Sequence, residues 1–138
     1  MRTSKYSLIC LLALLTGGTA RASEWVSLGT SDDREMETFI DKPSILISGP
    51  VRRALFKAGY APNSQLDWAG SGKWVSYTLE RQALNCAERI ARTEAVTVYY
   101  TDGTQVVAPK EAFPRPWQAV ESETPDEARL RFICSWRK

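Results

Sequence analysis

A chain of 138 residues has room for one domain and not two. Its 18 Lys+Arg and 16 Asp+Glu sum to +2, but residues 1–22 hold Arg2, Lys5 and Arg21 and no acid; the remainder is net −1, with no global electrostatic claim on nucleic acid or anionic lipid. Histidine is absent, which excludes Ser-His-Asp and Cys-His catalysis, histidine metal centres and imidazole pH switching.

The N-terminus sets the expected location. Arg2 and Lys5 precede an apolar run over residues 6–15, Thr16-Gly17-Gly18 interrupts it, and Ala20-Arg21-Ala22 has the small-x-small pattern read by signal peptidase. The run is about half the ~20 residues that span a bilayer, so residues 1–22 are expected to be a cleaved secretory signal and 23–138 a single exported domain. No later stretch is long and apolar enough to be an integral membrane segment. The residue after the proposed cut is Ser23, and Cys10 has too little apolar sequence before it to be a lipobox cysteine.

Cleavage would leave two cysteines, Cys86 and Cys134, in an oxidising compartment where a pair normally bridges. The loop they would close, about 49 residues, is worth about 4 kcal/mol in the chain-entropy account. A redox-active pair is the alternative, but redox motifs usually hold their cysteines two residues apart.

Short strands are expected at 25–29 and 36–40, the second ended by Asp41-Lys42-Pro43-Ser44, where Pro43 disfavours a central ladder position. A brief apolar run follows at 45–47. Residues 51–60 alternate, with Ala54, Phe56, Ala58 and Tyr60 on one face and Arg53 and Lys57 on the other: the pattern of a half-buried strand. Residues 61–72 read as a long loop. The stretch 74–100 is ambiguous, because Leu79, Ala83, Cys86, Ala87 and Ile90 fall at helical spacing while 74–78 and 96–100 are strand-like. Asp102-Gly103 signals a hairpin with 105–108 returning. Pro109, Pro114 and Pro116 are expected to keep the chain extended up to Trp117. Thr124-Pro125-Asp126-Glu127 is a capping box with proline at the first helical position. It opens a helix that turns Ala128, Leu130, Ile133 and Cys134 to one face and ends at Arg137 and Lys138, which complement its dipole. The expected fold is α+β: mainly antiparallel sheet, with this helix packed on one face and tied at Cys86.

Together, Trp25 to Gly29, Phe39-Ile40-Asp41-Lys42-Pro43-Ser44-Ile45, Gly49, Leu84-Asn85-Cys86, Trp117-Gln118-Ala119-Val120 and the terminal Ile133-Cys134 resemble the surface-adhesin protein E family. The resemblance covers residues 25 to 136. It implies an antiparallel sheet with a C-terminal helix tied by a disulfide, and it resolves the ambiguous middle as strand, turn, strand around Cys86. It also implies an exported bacterial binding protein whose partners are proteins, including extracellular matrix or serum glycoproteins; with no histidine in the chain, neither an enzyme nor a cofactor is expected. A periplasmic inhibitor or chaperone-like protein is the alternative, and periplasm and cell surface are both open as destinations.

Lys73, Arg89 and Arg92, which flank the two strands around Cys86, are the candidate partner contacts. Arg52, Arg53 and Lys57 form a basic cluster more often explained by a solvated or edge-protecting face. Of the five tryptophans, Trp68, in a loop beside Gly70 and Gly72, is expected to be the exposed one. Asp32-Asp33 is read as a solvated pair and not as glycoside chemistry.

Overall fold

The computed structural model describes residues 21–113 and 116–137. Nearly all of the expected signal, with Cys10, lies outside these residues, as do Pro114 and Lys138.

Eight antiparallel strands form one sheet: β1 (Trp25–Thr30), β2 (Met36–Asp41), β3 (Leu46–Ser48), β4 (Val51–Tyr60), β5 (Val75–Asn85), β6 (Ile90–Tyr100), β7 (Gln105–Val107) and β8 (Gln118–Ala119). The order is β1-β2-β4-β5-β6-β7, with β3 continuing beside β4 where β2 stops and β8 pairing with the start of β6. Pro43 sits in the 3-10 turn Lys42–Ser44 that separates β2 from β3, so it takes no ladder position. The stretch left ambiguous by its spacing is a β5–β6 hairpin closing through Cys86 to Arg89, and the helix α1 (Pro125–Ser135) ends the fold.

The sheet's two faces differ. Alternation along β4 sends Ala54, Phe56 and Ala58 inward, and all three are buried. Around Phe56 gather Ile40, Leu84 and Ala91 from the strands, Ile45 from the link before β3, and Leu130 and Ile133 from α1. A second cluster lies farther along, built from Val75, Val96, Val98, Tyr100 and Ala108 and flanked by Tyr60, Trp68 and Phe113. The disulfide Cys86–Cys134 joins the β5–β6 turn to the last turn of α1. At the other end of α1, Thr124 Oγ1 accepts from the Glu127 N–H at 3.3 Å, a cap worth about 1 kcal/mol.

Four local expectations are corrected. The Glu127 carboxylate accepts from the Glu123 N–H at 2.8 Å, not from Thr124, because Glu123 takes a left-handed turn, φ 61°, just before the cap. The chain after Pro109 is not extended throughout: residues Lys110–Ala112 make a 3-10 turn. Arg137 lies beyond the C-cap Trp136, outside the last helical turn. Inside α1 the buried positions are Arg129, Leu130 and Ile133, whereas Ala128 and Cys134 are half-buried.

Arg129 is 4 % exposed. Its guanidinium donates to Glu80 Oε2 at 2.7 Å and Asp126 Oδ1 at 3.3 Å and lies 5.0 Å from the Phe56 ring centroid. Glu80 also accepts from the Thr78 hydroxyl at 3.0 Å, so the charge that α1 carries into the interface is matched by a carboxylate already held by the sheet. Burial, and then this carboxylate, raise the Tyr60 hydroxyl above the ordinary tyrosine range.

Candidate functional site

The three expected contact cations do not share a patch. Lys73 precedes β5, whereas Arg89 and Arg92 lie at its far end; eleven strand residues at ~3.3 Å each separate them by about 35 Å. The Lys73 ammonium sits 3.1 Å from Asp102 Oδ2, donates to Thr104 Oγ1 at 3.0 Å and lies over the Tyr100 ring. Here it clips the start of β5 to the β6–β7 turn. Arg92 bonds Glu94 at 3.1 Å and stacks over Trp117, 4.9 Å from the ring centroid. Arg89, at the hairpin tip with φ 53°, keeps 59 % of its side chain exposed and approaches Glu127 only to 3.7 Å.

The Asp102 clip has a pH signature. Its carboxylate accepts the Thr104 hydroxyl and then the Thr104 N–H, and faces Lys73, which together hold it down at about 2. A lowered carboxylate pKa stabilises the fold above the unfolded value and loses that contribution as pH falls through the folded value. In a carboxylate NMR titration Asp102 should therefore titrate near 2, and Thr104→Val should move it up towards the ordinary 3.8. An unmoved Asp102 in that variant would contradict the hydroxyl as the main cause.

The β4 cations are divided between the two faces. Arg52 shares the face of Ala54, while Arg53 and Lys57 share the other. Arg53 Nε is held by Glu94 at 3.2 Å, so one carboxylate serves Arg53 and Arg92. Lys57 lies between two rings, 5.1 Å from the Trp25 centroid and 4.5 Å from that of Phe39, and no carboxylate among the described residues meets its ammonium.

The tryptophan expectation is corrected. Trp68 is half-buried against the second core cluster, because its loop folds back over the sheet under Asp67, which accepts from the Ser71 hydroxyl and the Gly72 N–H. The exposed tryptophan is Trp74, at 45 %. Asp32 is exposed, whereas Asp33 accepts from Ser31 and from the Glu35 N–H, which lower its pKa; the pair is loop structure.

The uncovered face carries an ordered row. Cross-strand partners run Ser27–Phe39–Lys57–Leu79–Thr97–Val107, one residue from each of six strands. At ~4.8 Å per strand the row spans about 24 Å, and each member is at least partly exposed. Beside it runs Glu37–Gly59–Tyr77–Tyr99, in which the two tyrosine rings stack at 4.4 Å. Sequence alternation had placed Lys57 on this face; the ring partners on β1 and β2 required the register of three strands.

The molecule is thus a disulfide-tied helix sealing one side of an antiparallel sheet, with the other side left open. The sequence matches the surface-adhesin protein E family over residues 25–135. The chain belongs to that family. Solved structures of Haemophilus influenzae protein E share the fold. The selenomethionine form is 15 % identical, with 85 % of this chain and 90 % of that chain covered at a TM-score of 0.55. Protein E from a non-typeable strain is 14 % identical, with 85 % and 79 % covered at 0.53, and crystal form II is 15 % identical, with 71 % and 80 % covered at 0.52. Among curated protein sequences none matches the chain. Membership places the chain with the surface adhesins, and among the described residues no helix is long and apolar enough to cross a membrane.

Proposed function

We propose that this member of the surface-adhesin protein E family is exported, cut after Ala22, and holds a host macromolecule, an extracellular matrix or serum glycoprotein, on its sheet surface and loops. The observation that carries the reading is the family match over residues 25–135, borne on a sheet with one face sealed and the other bare. Of the three expected contact cations, Arg89 is the one whose charge is free enough to meet a partner; Lys73 and Arg92 are engaged within the chain.

Protease shaving of intact cells and binding of the purified exported protein to immobilised matrix and serum glycoproteins test this together. The expected result is cleavage on intact cells, an N-terminus at Ser23, and saturable binding weakened by Arg89→Glu at unchanged melting temperature. Protection until the outer membrane is broken, with no glycoprotein bound, would replace the adhesin by the periplasmic inhibitor or chaperone-like reading. Undiminished binding by Arg89→Glu would remove that contact alone.

A further inference from the structure

Lys57 is a cation set among apolar neighbours on a partly exposed surface, and no carboxylate among the described residues pairs with it. In its row it stands between Phe39 and Leu79, with its ammonium over the Trp25 ring. Ring faces favour an ammonium, but they do not neutralise it. The nearest other cations are Arg81, exposed and one row away, and Arg34 in the turn before β2, whereas Arg53 and Arg92 are already held by Glu94. Two acids, Glu35 and Glu37, stand at the rim, and Glu37 accepts from the Ser27 hydroxyl at 2.6 Å.

A second observation concerns Gly59, in the body of β4. Its backbone is ordinary strand, outside the left-handed region, and a Cβ built there would meet nothing closer than 3.8 Å. Neither conformation nor crowding therefore requires glycine, and an interior strand glycine weakens the strand. The missing side chain leaves the floor of an open recess of about 370 Å³, walled by Phe39, Lys57 and Tyr77 and rimmed by Arg34, Glu35 and Glu37. A glycine of this kind marks a place where another group approaches the backbone closely.

We infer that the Phe39–Lys57–Leu79 strip and the Gly59 recess are a docking surface for an acidic, apolar segment of a partner protein, one carboxylate meeting the Lys57 ammonium while flanking apolar side chains lie along the row and into the recess. The inference rests on the adhesin reading and specifies the partner's chemistry. A polyanion such as nucleic acid or a sulfated glycan is recognised by many cations acting together, and this strip offers Lys57 with Arg81 beside it. A single carboxylate framed by leucine or aromatic side chains matches its charge and its apolar length, and a desolvated ion pair at a centre ringed by apolar contacts is how interface energy concentrates.

The test uses the purified exported protein against an array of synthetic 15-residue peptides rich in aspartate, leucine and phenylalanine. A second array has lysine in place of aspartate, and a third has serine in place of the apolar residues. Binding should be confined to the first array. Lys57→Glu should weaken it at least tenfold and Gly59→Ala, which keeps the strand, at least threefold, while Arg131→Glu, on α1 across the sheet, should leave it unchanged. Equal binding by Lys57→Glu and Gly59→Ala, both verified as folded by thermal melting, would overturn the strip; preference for the lysine array, or no binding to any array, would overturn the partner chemistry. Wild-type binding to immobilised matrix or serum glycoproteins that persists in Lys57→Glu would sink the strip and leave the adhesin reading standing. Peptide binding without any glycoprotein binding would do the reverse.

Discussion

Replacing Cys134 by serine should lower the stability of the exported protein by about 2–5 kcal/mol. Cys86 and Cys134 are 48 positions apart, so the bridge removes from the unfolded chain all conformations in which β5 and the helix end are distant. In the folded state it fastens α1 at the end opposite its Thr124 cap. Urea denaturation should give the same loss for Cys134→Ser, for Cys86→Ser and for wild type under reductant, and the double variant should lose no more than either single one, because all four delete one bond. Hydrogen exchange should localise the change: amides of α1 should lose protection first, while those of β4 and β5, paired along nine positions, keep theirs. An unchanged urea midpoint in reductant would remove the bridge from the stability of this fold.

Arg129→Met should cost about 3–5 kcal/mol, the range for breaking a buried ion pair by deleting one partner. The substitution conserves apolar volume against Phe56, so the loss would come from Glu80, left with the Thr78 hydroxyl but without its cation. Adding Glu80→Gln should restore a large part of the loss, and a double-mutant cycle in urea reads the coupling directly. Additivity of the two changes would show that Arg129 contributes through its stem and ring contact, not through the ion pair. An apolar pair of the same shape would be at least as stable in principle; the charged pair's distinctive contribution is that α1 can seat its guanidinium at only one position along the sheet.

These two features were unequally legible in the sequence. The bridge followed from counting cysteines once residues 1–22 were set aside. The buried Arg129 did not, because an arginine between Ala128 and Leu130 reads as the wet side of a helix until Glu80, 49 positions earlier, is known to lie beneath it. β4 was readable because Ala54, Phe56, Ala58 and Tyr60 keep a two-residue period. The β5–β6 hairpin was not readable from periodicity, and the register explains why. The pairing slips at Glu94, so that Thr93 and Val96, three apart, oppose Gln82 and Glu80, two apart. One extra residue breaks the two-residue period of β6, and the Cys86–Arg89 turn sets Cys86, Ala87 and Ile90 after Leu79 and Ala83 at spacings that imitate a helix. The resemblance to a family supplied what the pattern could not. Among the surface cations, residue type was informative and grouping was not: Lys73 and Arg89 flank one strand in sequence and stand at its opposite ends in space.

The sheet's margins carry a consequence for a protein working beside many copies of itself. A strand with a bare flank offers unpaired backbone groups to any passing chain and can template aggregation. Here β7, at one flank, is three residues long, and β3 is equally short. β1, at the other flank, is six residues long but is interrupted between Ser27 and Gly29, where an extra residue bends it. No margin presents a long straight ladder. Two copies that meet flank to flank therefore find, among the described residues, no long ladder along which to zip together.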